Sequence, residues 1–437
     1  MKRKLVCLLM AVTLMLALVA CATPDATDES GTERIHLNMA AFADGTGVVA
    51  DMWALFLTEA AELFPNVDIT FEHLPSGSPE ELIMSRVAGG DFPDLMWVFQ
   101  PALLIDGGIV QELPDSLKNL LIRPDDFLVN DRLYIMPMHI GAIGAWYNKE
   151  IFAQAGITSA PTNWEEYMAT LRAIAAIGIE PIGMAGRDGW YIGGHWKNLW
   201  APVTYGPDPN WSMHRTQGEV RFNNPVTRRS LERLRETMPY WQSGAMSATN
   251  DEVWRLFLQG DVAILINGGT WQIPQVDNGD IVIPFEVGFM IPPQDRAEDR
   301  RINSFHDNLF VINSQTTGER FDAAVNLLHL YFSSEFYPIA LNAASAFPSV
   351  RGFDDFEFDI THPTAIAMFD EVLAAINEVG TVPHAHAAQG DNMWPAGARE
   401  MAERIVQDLA AGNDDLDALM DMFDDAWDVG VRQAQQG

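Results

Sequence analysis

The sequence predicts an α/β protein in which mostly parallel sheets are flanked by helices. Ile35–Met39 and Val67–Phe71 alternate like half-buried strands, and Asp51–Phe64 between them has apolar residues at helical spacing. A helical stretch at 79–88 and a buried strand at 94–98 continue the alternation of strand and helix, which favours parallel strands. With 437 residues, 48% of them hydrophobic, the chain is long enough for two domains.

The same alternation continues through the rest of the chain. Thr162 and Glu165 have the spacing of a capping box, which predicts a helix start there. Further strands are predicted near 134–138, 142–147, 263–266, 286–290 and 309–312, and further helices near 148–155, 162–177, 225–240, 251–259, 318–333, 363–378, 396–411 and 413–429. Ligands of such folds gather where parallel strands end. Asp44 and Trp97 both lie at or just after the carboxyl ends of predicted strands, at the edge of the sheet where a ligand is expected.

The first residues predict export and lipid attachment. Three basic residues precede the apolar run Leu5–Ala20, and Leu18-Val19-Ala20-Cys21 has the form of a lipobox, so residues 1–20 are predicted to be a signal peptide. Cys21 is then the lipidated first residue of the mature chain, and residues 21–33 form a flexible tether. A transmembrane anchor is the alternative, but the apolar run is shorter than the roughly 20 residues that a spanning helix needs.

Charge and cysteine content exclude several classes of function. The formal net charge is −33, and a uniformly acidic surface repels nucleic acid. The two cysteines are Cys7, in the segment predicted to be removed, and Cys21, so the folded part has no thiol for a disulfide or a cysteine metal site. His384 and His386 alternate in a loop without cysteine neighbours, which is a poor zinc pattern. The sequence indicates neither a cofactor nor a metal.

Three ordered segments carry a resemblance to a known family. They are Gly89-Gly90-Asp91-Phe92-Pro93-Asp94-Leu95; Ala145 to Phe152, followed by Ala155-Gly156-Ile157 and 161–166; and Phe257 to Ala263, followed by Asn267-Gly268-Gly269-Thr270-Trp271. Together they resemble the extracellular solute-binding proteins of ABC importers, in the branch that mostly binds sugars and oligosaccharides. The resemblance extends over nearly all of the mature chain.

The resemblance implies the two-lobed periplasmic-binding-protein-like fold, with a hinge of several chain crossings and a ligand cleft between the lobes. Placed by the matched motifs, the crossings are expected near 141–145, 303–308 and 346–349. The N-terminal lobe would combine residues 34–142 with 308–346. The C-terminal lobe would combine residues 143–304 with 350–437.

A sugar is held by aromatic rings against its C–H faces and by polar groups at its hydroxyl edges. The chain contains 13 tryptophans. Trp53, Trp164, Trp254 and Trp427 lie at helical spacing and are predicted to be core residues. The resemblance places cleft residues at Asp44, Trp97, Trp190, Trp271 and Trp394, with packing in the lobe cores as the alternative for Trp97 and Trp271. His139, His306 and Asp307 are further polar candidates at the predicted crossings, with hinge packing as the alternative.

The leading hypothesis is a receptor without catalytic activity, which captures a sugar or oligosaccharide and presents it to an ABC permease in the membrane. A polyamine receptor of the same fold is an alternative, because the acidic balance would attract cations. A secreted glycoside hydrolase is another alternative, because 60 acidic residues make a pair of catalytic carboxylates possible.

Overall fold

The computed structural model describes residues 34–42, 47–74, 79–306 and 308–435. The strands are β1 Ile35–Phe42, β2 Val67–Leu74, β3 Leu95–Val98, β4 Leu128–Val129, β5 Arg132–Leu133, β6 Met136–Pro137, β7 Gly141–Asn148, β8 Glu180–Gly183, β9 Val262–Gly269, β10 Val287–Met290, β11 Ile302–Phe305, β12 Leu309–Ile312 and β13 Thr381–Pro383. They form two large sheets and one hairpin, β4–β5.

Helices cover both sheets. They are α1 Val48–Leu63, α2 Pro79–Gly89, α3 Ala102–Asp106, α4 Asp115–Lys118, α5 Lys149–Gln154, α6 Trp164–Ala176, α7 Gly189–Tyr205, α8 Trp211–Thr216, α9 Pro225–Thr237, α10 Asn250–Gln259, α11 Ile273–Asp277, α12 Glu319–Tyr331, α13 Tyr337–Ala344, α14 Pro363–Val379, α15 Ala398–Ala410 and α16 Leu416–Ala434. In the part of the chain that the structure describes, none of them is long and apolar enough to cross a membrane.

The N-lobe is the part of the chain built on the sheet β2-β1-β3-β12-β6. Strand β1 pairs in parallel with β2 and with β3, whereas β12 runs antiparallel to both β3 and β6. The buried carboxylate of Asp94 fixes the start of β3, because it accepts hydrogen bonds from the Asn38 N–H and the side chains of Thr316 and Arg320. Asp94, the second aspartate of the first matched motif, therefore has a structural role.

The C-lobe is built on the sheet β13-β11-β7-β9-β8, with β10 added to β7. Its parallel pairs are β8 with β9 and β11 with β13, and its other pairs are antiparallel. The α/β class is therefore confirmed, but each sheet is mixed where strand order alone predicted a mostly parallel one. The physical reason is that the chain re-enters each sheet from the opposite lobe and so runs against its neighbours.

Three chain crossings join the lobes. Residues 138–140 connect β6 to β7, residues 306–308 connect β11 to β12, and the third passage follows α13 at 345–350. Backbone hydrogen bonds tie the three together: Met138 N–H donates to Asn308 O at 2.8 Å, and Ile140 and Phe347 exchange two bonds of 2.8 Å. The lobe boundaries predicted from the sequence stay a prediction, and these sheet memberships support it.

Local signals explain where several elements begin. Thr249 and Glu252 form a complete capping box at the start of α10. Helix α6 starts one residue later than its predicted box, because the Asn163 side chain caps it while Thr162 donates both its N–H and its hydroxyl to Glu166. Trp53, Trp164 and Trp427 are buried in the two lobe cores as predicted, and Trp254 is half-buried.

Candidate functional site

The facing edges of the two sheets define the candidate site. In the N-lobe, β1 and β3 end at Phe42 and Val98, and the antiparallel partner β12 begins at this same edge. In the C-lobe, the end of β9, the end of β11 and the start of β7 share one edge. Because two of the crossings connect these edges directly, the loops that follow the strands line the space between the lobes.

Three aromatic rings lie together at the N-lobe edge, and we call them the N-lobe aromatic group: Phe42, Trp97 and Phe99. Their ring centroids are 5.8 Å apart for Phe42 and Trp97, 5.0 Å for Phe42 and Phe99, and 5.6 Å for Trp97 and Phe99. Trp97 and Phe99 are half-buried, and the buried indole nitrogen of Trp97 has no hydrogen-bond partner among the described residues. The group offers both an apolar surface and a donor.

A second cluster, the C-lobe edge cluster, contains Trp271, Phe305, Ile143 and Ala387. The ring centroids of Trp271 and Phe305 are 5.7 Å apart, and the planes are inclined at 67°. The Trp271 ring lies so close to Gly269 that a Cβ there would overlap it, which explains the glycine before Thr-Trp in the third matched motif. Trp271 itself is half-buried.

His139 and His306 lie in two neighbouring crossings. His139 is 7% exposed, and the Asn308 amide donates to its Nε2 at 3.1 Å, so a neutral ring carries its proton on Nδ1. Nδ1 is buried and has no partner among the described residues. Burial lowers the pKa of His139 to about 4. Burial and the charge of Arg123 lower the pKa of His306 to about 4, and its ring lies 5.9 Å from that of Phe127.

Two other predicted site residues lie in different surroundings. Trp190 is in the first turn of α7, and it is 38% exposed. Trp394 is 4% exposed, packs edge-to-face against the core ring of Phe423, and donates its indole N–H to Tyr205 at 2.9 Å. The structure therefore places Trp394 in the C-lobe core and does not bring it to the edge clusters. Asp44, Asp307 and Cys21 lie outside the described residues.

Buried polar side chains support the loop after β13. The Lys197 ammonium on α7 is fully buried and lies 3.0 Å from Nδ1 of His386. Burial, followed by the charge of Lys197, holds the pKa of both His384 and His386 well below the usual range. Among the residues with described positions there is no group of three or more His, Cys, Asp or Glu that could hold a metal ion. His386 is thus fixed by a lysine, which pins this loop to α7.

Sequence reasoning missed Phe42, Phe99 and Phe305. Each stands at or next to a strand end on the edge where ligands were expected, so edge position combined with aromatic character was the available signal. The resemblance points to tryptophans at this edge, and Phe305 directly precedes His306 and Asp307, the polar candidates at the same crossing. Phenylalanine lacks the polar group of tryptophan, but its ring offers the same apolar face.

Two lobes of mixed sheet, linked by three crossings and facing each other across aromatic edges, define the class of two-lobed solute-binding proteins. The family model of the bacterial extracellular solute-binding proteins matches residues 43–313. Because this match includes more than half of the 437 residues, the chain belongs to that family.

Individual relatives are distant. The chain is 22% identical over 242 residues to the multiple sugar-binding protein of Streptococcus mutans, which covers 51% of this chain and 54% of that protein. The chain thus spans about half the length of this curated relative.

Solved structures are similar over most of both chains. A chitin oligosaccharide binding protein superposes with a TM-score of 0.77 at 21% identity, covering 91% of this chain and 99% of the other. A sugar transporter protein from Bacillus licheniformis in complex with stachyose gives a TM-score of 0.69 at 14% identity, covering 91% of this chain and all of that one. At these identities the likeness concerns the fold, and it confirms the two-lobed architecture.

Proposed function

We propose that this protein captures an oligosaccharide between its lobes and passes it unaltered to an ABC permease. The observation that carries the proposal is the pair of aromatic surfaces, the N-lobe aromatic group and the C-lobe edge cluster, at the two facing sheet edges. Aromatic rings bind the C–H faces of sugar rings. The relatives whose names print a sugar, a chitin oligosaccharide or stachyose support the same class of solute.

Among the described residues, the unpaired polar groups near these rings suit hydroxyl groups better than a cation. With its pKa near 4, His139 is neutral at pH 7, and its Nδ1–H and the indole N–H of Trp97 are both donors in need of an acceptor. A polyamine would need carboxylates in these positions, because an ammonium group offers only donors. Donors beside apolar faces are the pattern that a sugar requires.

Calorimetric titration tests the proposed ligand class. The full chain is titrated with chitin oligosaccharides, raffinose, stachyose, maltose and spermidine. Heat from at least one oligosaccharide and none from spermidine is expected. No heat from any sugar would contradict the proposal, and salt-sensitive heat from spermidine alone would favour a polyamine receptor.

Trp97→Ala should weaken sugar binding by about 10- to 100-fold, because it removes a large ring from the N-lobe aromatic group. Trp254→Ala is the matched control, since it removes another half-buried tryptophan from helix α10. Equal affinities of the two variants would contradict the assignment of Trp97 to the ligand.

The absence of catalysis is tested on any sugar that binds. Prolonged incubation followed by mass spectrometry of the sugar should return it unchanged. Appearance of shorter oligosaccharides at a rate that depends on protein concentration would favour a glycoside hydrolase instead.

We also propose that Cys21 carries the lipid that holds the protein at the outer face of the cell membrane. The lipobox ending at Cys21 supports this, because a thiol at that position accepts the diacylglyceryl group. Cys21→Ser should abolish incorporation of radiolabelled fatty acid and release the protein into the medium or periplasm. Labelling that persists in this variant would contradict the anchor.

A further inference from the structure

The segment 384–394, which we call the bridging segment, contacts three parts of the molecule. At its start, the Lys197 ammonium holds His386, and at its end Trp394 is buried in the C-lobe core. In between, Ala387 packs in the C-lobe edge cluster. The next residues reach the opposite lobe. Both ends are therefore anchored in the C-lobe, while the middle runs from the C-lobe edge cluster to the N-lobe.

The contact with the N-lobe is made by backbone. Gly390 lies against the residues that lead into the β4–β5 hairpin: a Cβ built on it would stand 2.7 Å from Leu128 O and 2.8 Å from Asp126 O. Next to it, the Asp391 carboxylate accepts the N–H of Asn130 at 3.0 Å, at the tip of the hairpin. Real Cβ atoms essentially never come within 3.0 Å of other heavy atoms, and a backbone carbonyl cannot rotate away as a side chain can.

We propose that Gly390 is a positioning residue for ligand capture, because its missing side chain sets how closely the two lobes can approach. This inference rests on the proposed function, in which capture includes closure of the lobes around the ligand. A methyl group at residue 390 meets the two carbonyl oxygens only when the lobes are together. The clash of this methyl group therefore raises the free energy of the closed form alone, which shifts the population towards the open form.

The bridging segment also gives a route from ligand to closure. Gln389 is 6% exposed, its Oε1 has no partner among the described residues, and it directly precedes Gly390. A sugar hydroxyl that donates to this oxygen would order the backbone at the point where it meets the N-lobe. Ligand binding and lobe approach would then favour each other through two adjacent residues.

Gly397→Ala provides a matched control for Gly390→Ala. Both glycines have left-handed φ angles, 61° for Gly390 and 81° for Gly397, so an alanine is strained at either position. A Cβ added to Gly397 would meet no atom within 4 Å, whereas one added to Gly390 would meet the opposite lobe. Any effect that Gly390→Ala shows beyond Gly397→Ala comes from the contact between lobes.

The experiment measures lobe approach without needing a ligand. Asp51 and Asp280 are exposed on opposite lobes, and Asp51 is one helical turn from Gly47, where an added Cβ would lie 3.9 Å from Asp280 Oδ2. Both aspartates are changed to cysteine in the full chain, with Cys7 and Cys21 changed to serine. The rate of crosslinking by a short bifunctional maleimide then reports how often the lobes are together, even if the closed form is rare.

Gly390→Ala should lower the crosslinking rate at least tenfold relative to Gly397→Ala, with the same melting temperature for both variants. It should weaken binding of any sugar that the wild type binds by a similar factor. Equal crosslinking rates in the two variants would overturn the inference. If no sugar binds the wild type, the proposed function fails, and the crosslinking ratio still decides the role of Gly390.

Discussion

Two regions of this protein are rich in aromatic rings, and they differ in how the rings are surrounded. In the C-lobe core, Trp200, Trp394 and Trp427 are buried, and each donates its indole N–H to a hydroxyl group. In the N-lobe aromatic group, Trp97 and Phe99 are half-buried at a sheet edge, and the Trp97 nitrogen has no such partner among the described residues. Ring count alone therefore does not single out the proposed binding surface, whereas position at the sheet edge does. An unpaired indole nitrogen is not sufficient either, because that of the buried core residue Trp53 also has no partner among the described residues.

The largest expected effect concerns the buried rings of the C-lobe core. Trp394→Ala should lower the free energy of unfolding by about 3–5 kcal/mol, because it leaves a cavity among packed rings and removes the donor to Tyr205. Denaturant titration of the variant measures this loss. A loss below about 1 kcal/mol, or a loss of sugar affinity without a loss of stability, would contradict the core role of Trp394 and indicate that it contacts the ligand.

The second prediction concerns the hinge, which lies between the two regions. His139 has a folded pKa of about 4, below the value near 6.5 of an unfolded chain, so the unfolded state binds more protons between these pH values. The contribution of His139 to the free energy of unfolding, about 3 kcal/mol, is fully present above pH 6.5 and is lost as the pH falls towards 4.

His139→Gln isolates that contribution, since glutamine does not titrate. Denaturant titrations at several pH values should show a steeper fall in stability between pH 6.5 and pH 4 for the wild type than for the variant. Parallel curves would mean that His139 titrates normally and is not desolvated in the hinge.

The third prediction concerns the N-lobe aromatic group. Phe99→Ala should weaken sugar binding about tenfold, or about 1.4 kcal/mol, because one wall of the aromatic group is lost. Phe92→Ala is the control, since this half-buried phenylalanine precedes β3 at the opposite end of the strand. Calorimetry should find wild-type affinity for Phe92→Ala. Equal weakening in both variants would point to a general loss of N-lobe stability.

The smallest effect concerns a polar contact between the lobes. The Gln100 amide donates to the Glu400 carboxylate at 3.3 Å in an exposed position, where water competes for both groups. Gln100→Ala should change sugar affinity by no more than about twofold, or roughly 0.4 kcal/mol. A tenfold loss would show that the contact is shielded from water in the bound form.

Much of the fold could be predicted from the sequence. Alternating apolar patterns located most of the strands and long helices, because both periodicities arise from burial of one face. The whole of α7 was missed, because Gly189, Gly193 and Gly194 are poor helix formers. In the structure, Gly193 and Gly194 allow Glu403 and Asn267 to approach so closely that a Cβ would clash, so tertiary packing outweighs propensity.

The site was harder to predict than the fold. Trp97 could be placed at a strand end, since a strand end is a local property of the sequence, whereas Trp271 could be placed only through the family resemblance. The burial of Trp394 could not, because a loop that folds back into a core has the same local pattern as one that faces a cleft. Whether a loop residue turns inward depends on distant partners such as Tyr205 and Phe423.

The backbone bonds among the three crossings also have a mechanical consequence. Met138 is bonded to Asn308, and Ile140 to Phe347, so backbone hydrogen bonds hold the first crossing beside each of the other two. A protease cut in any single crossing would leave the two lobes joined by the other two crossings. New chain ends created there by circular permutation should be tolerated for the same reason.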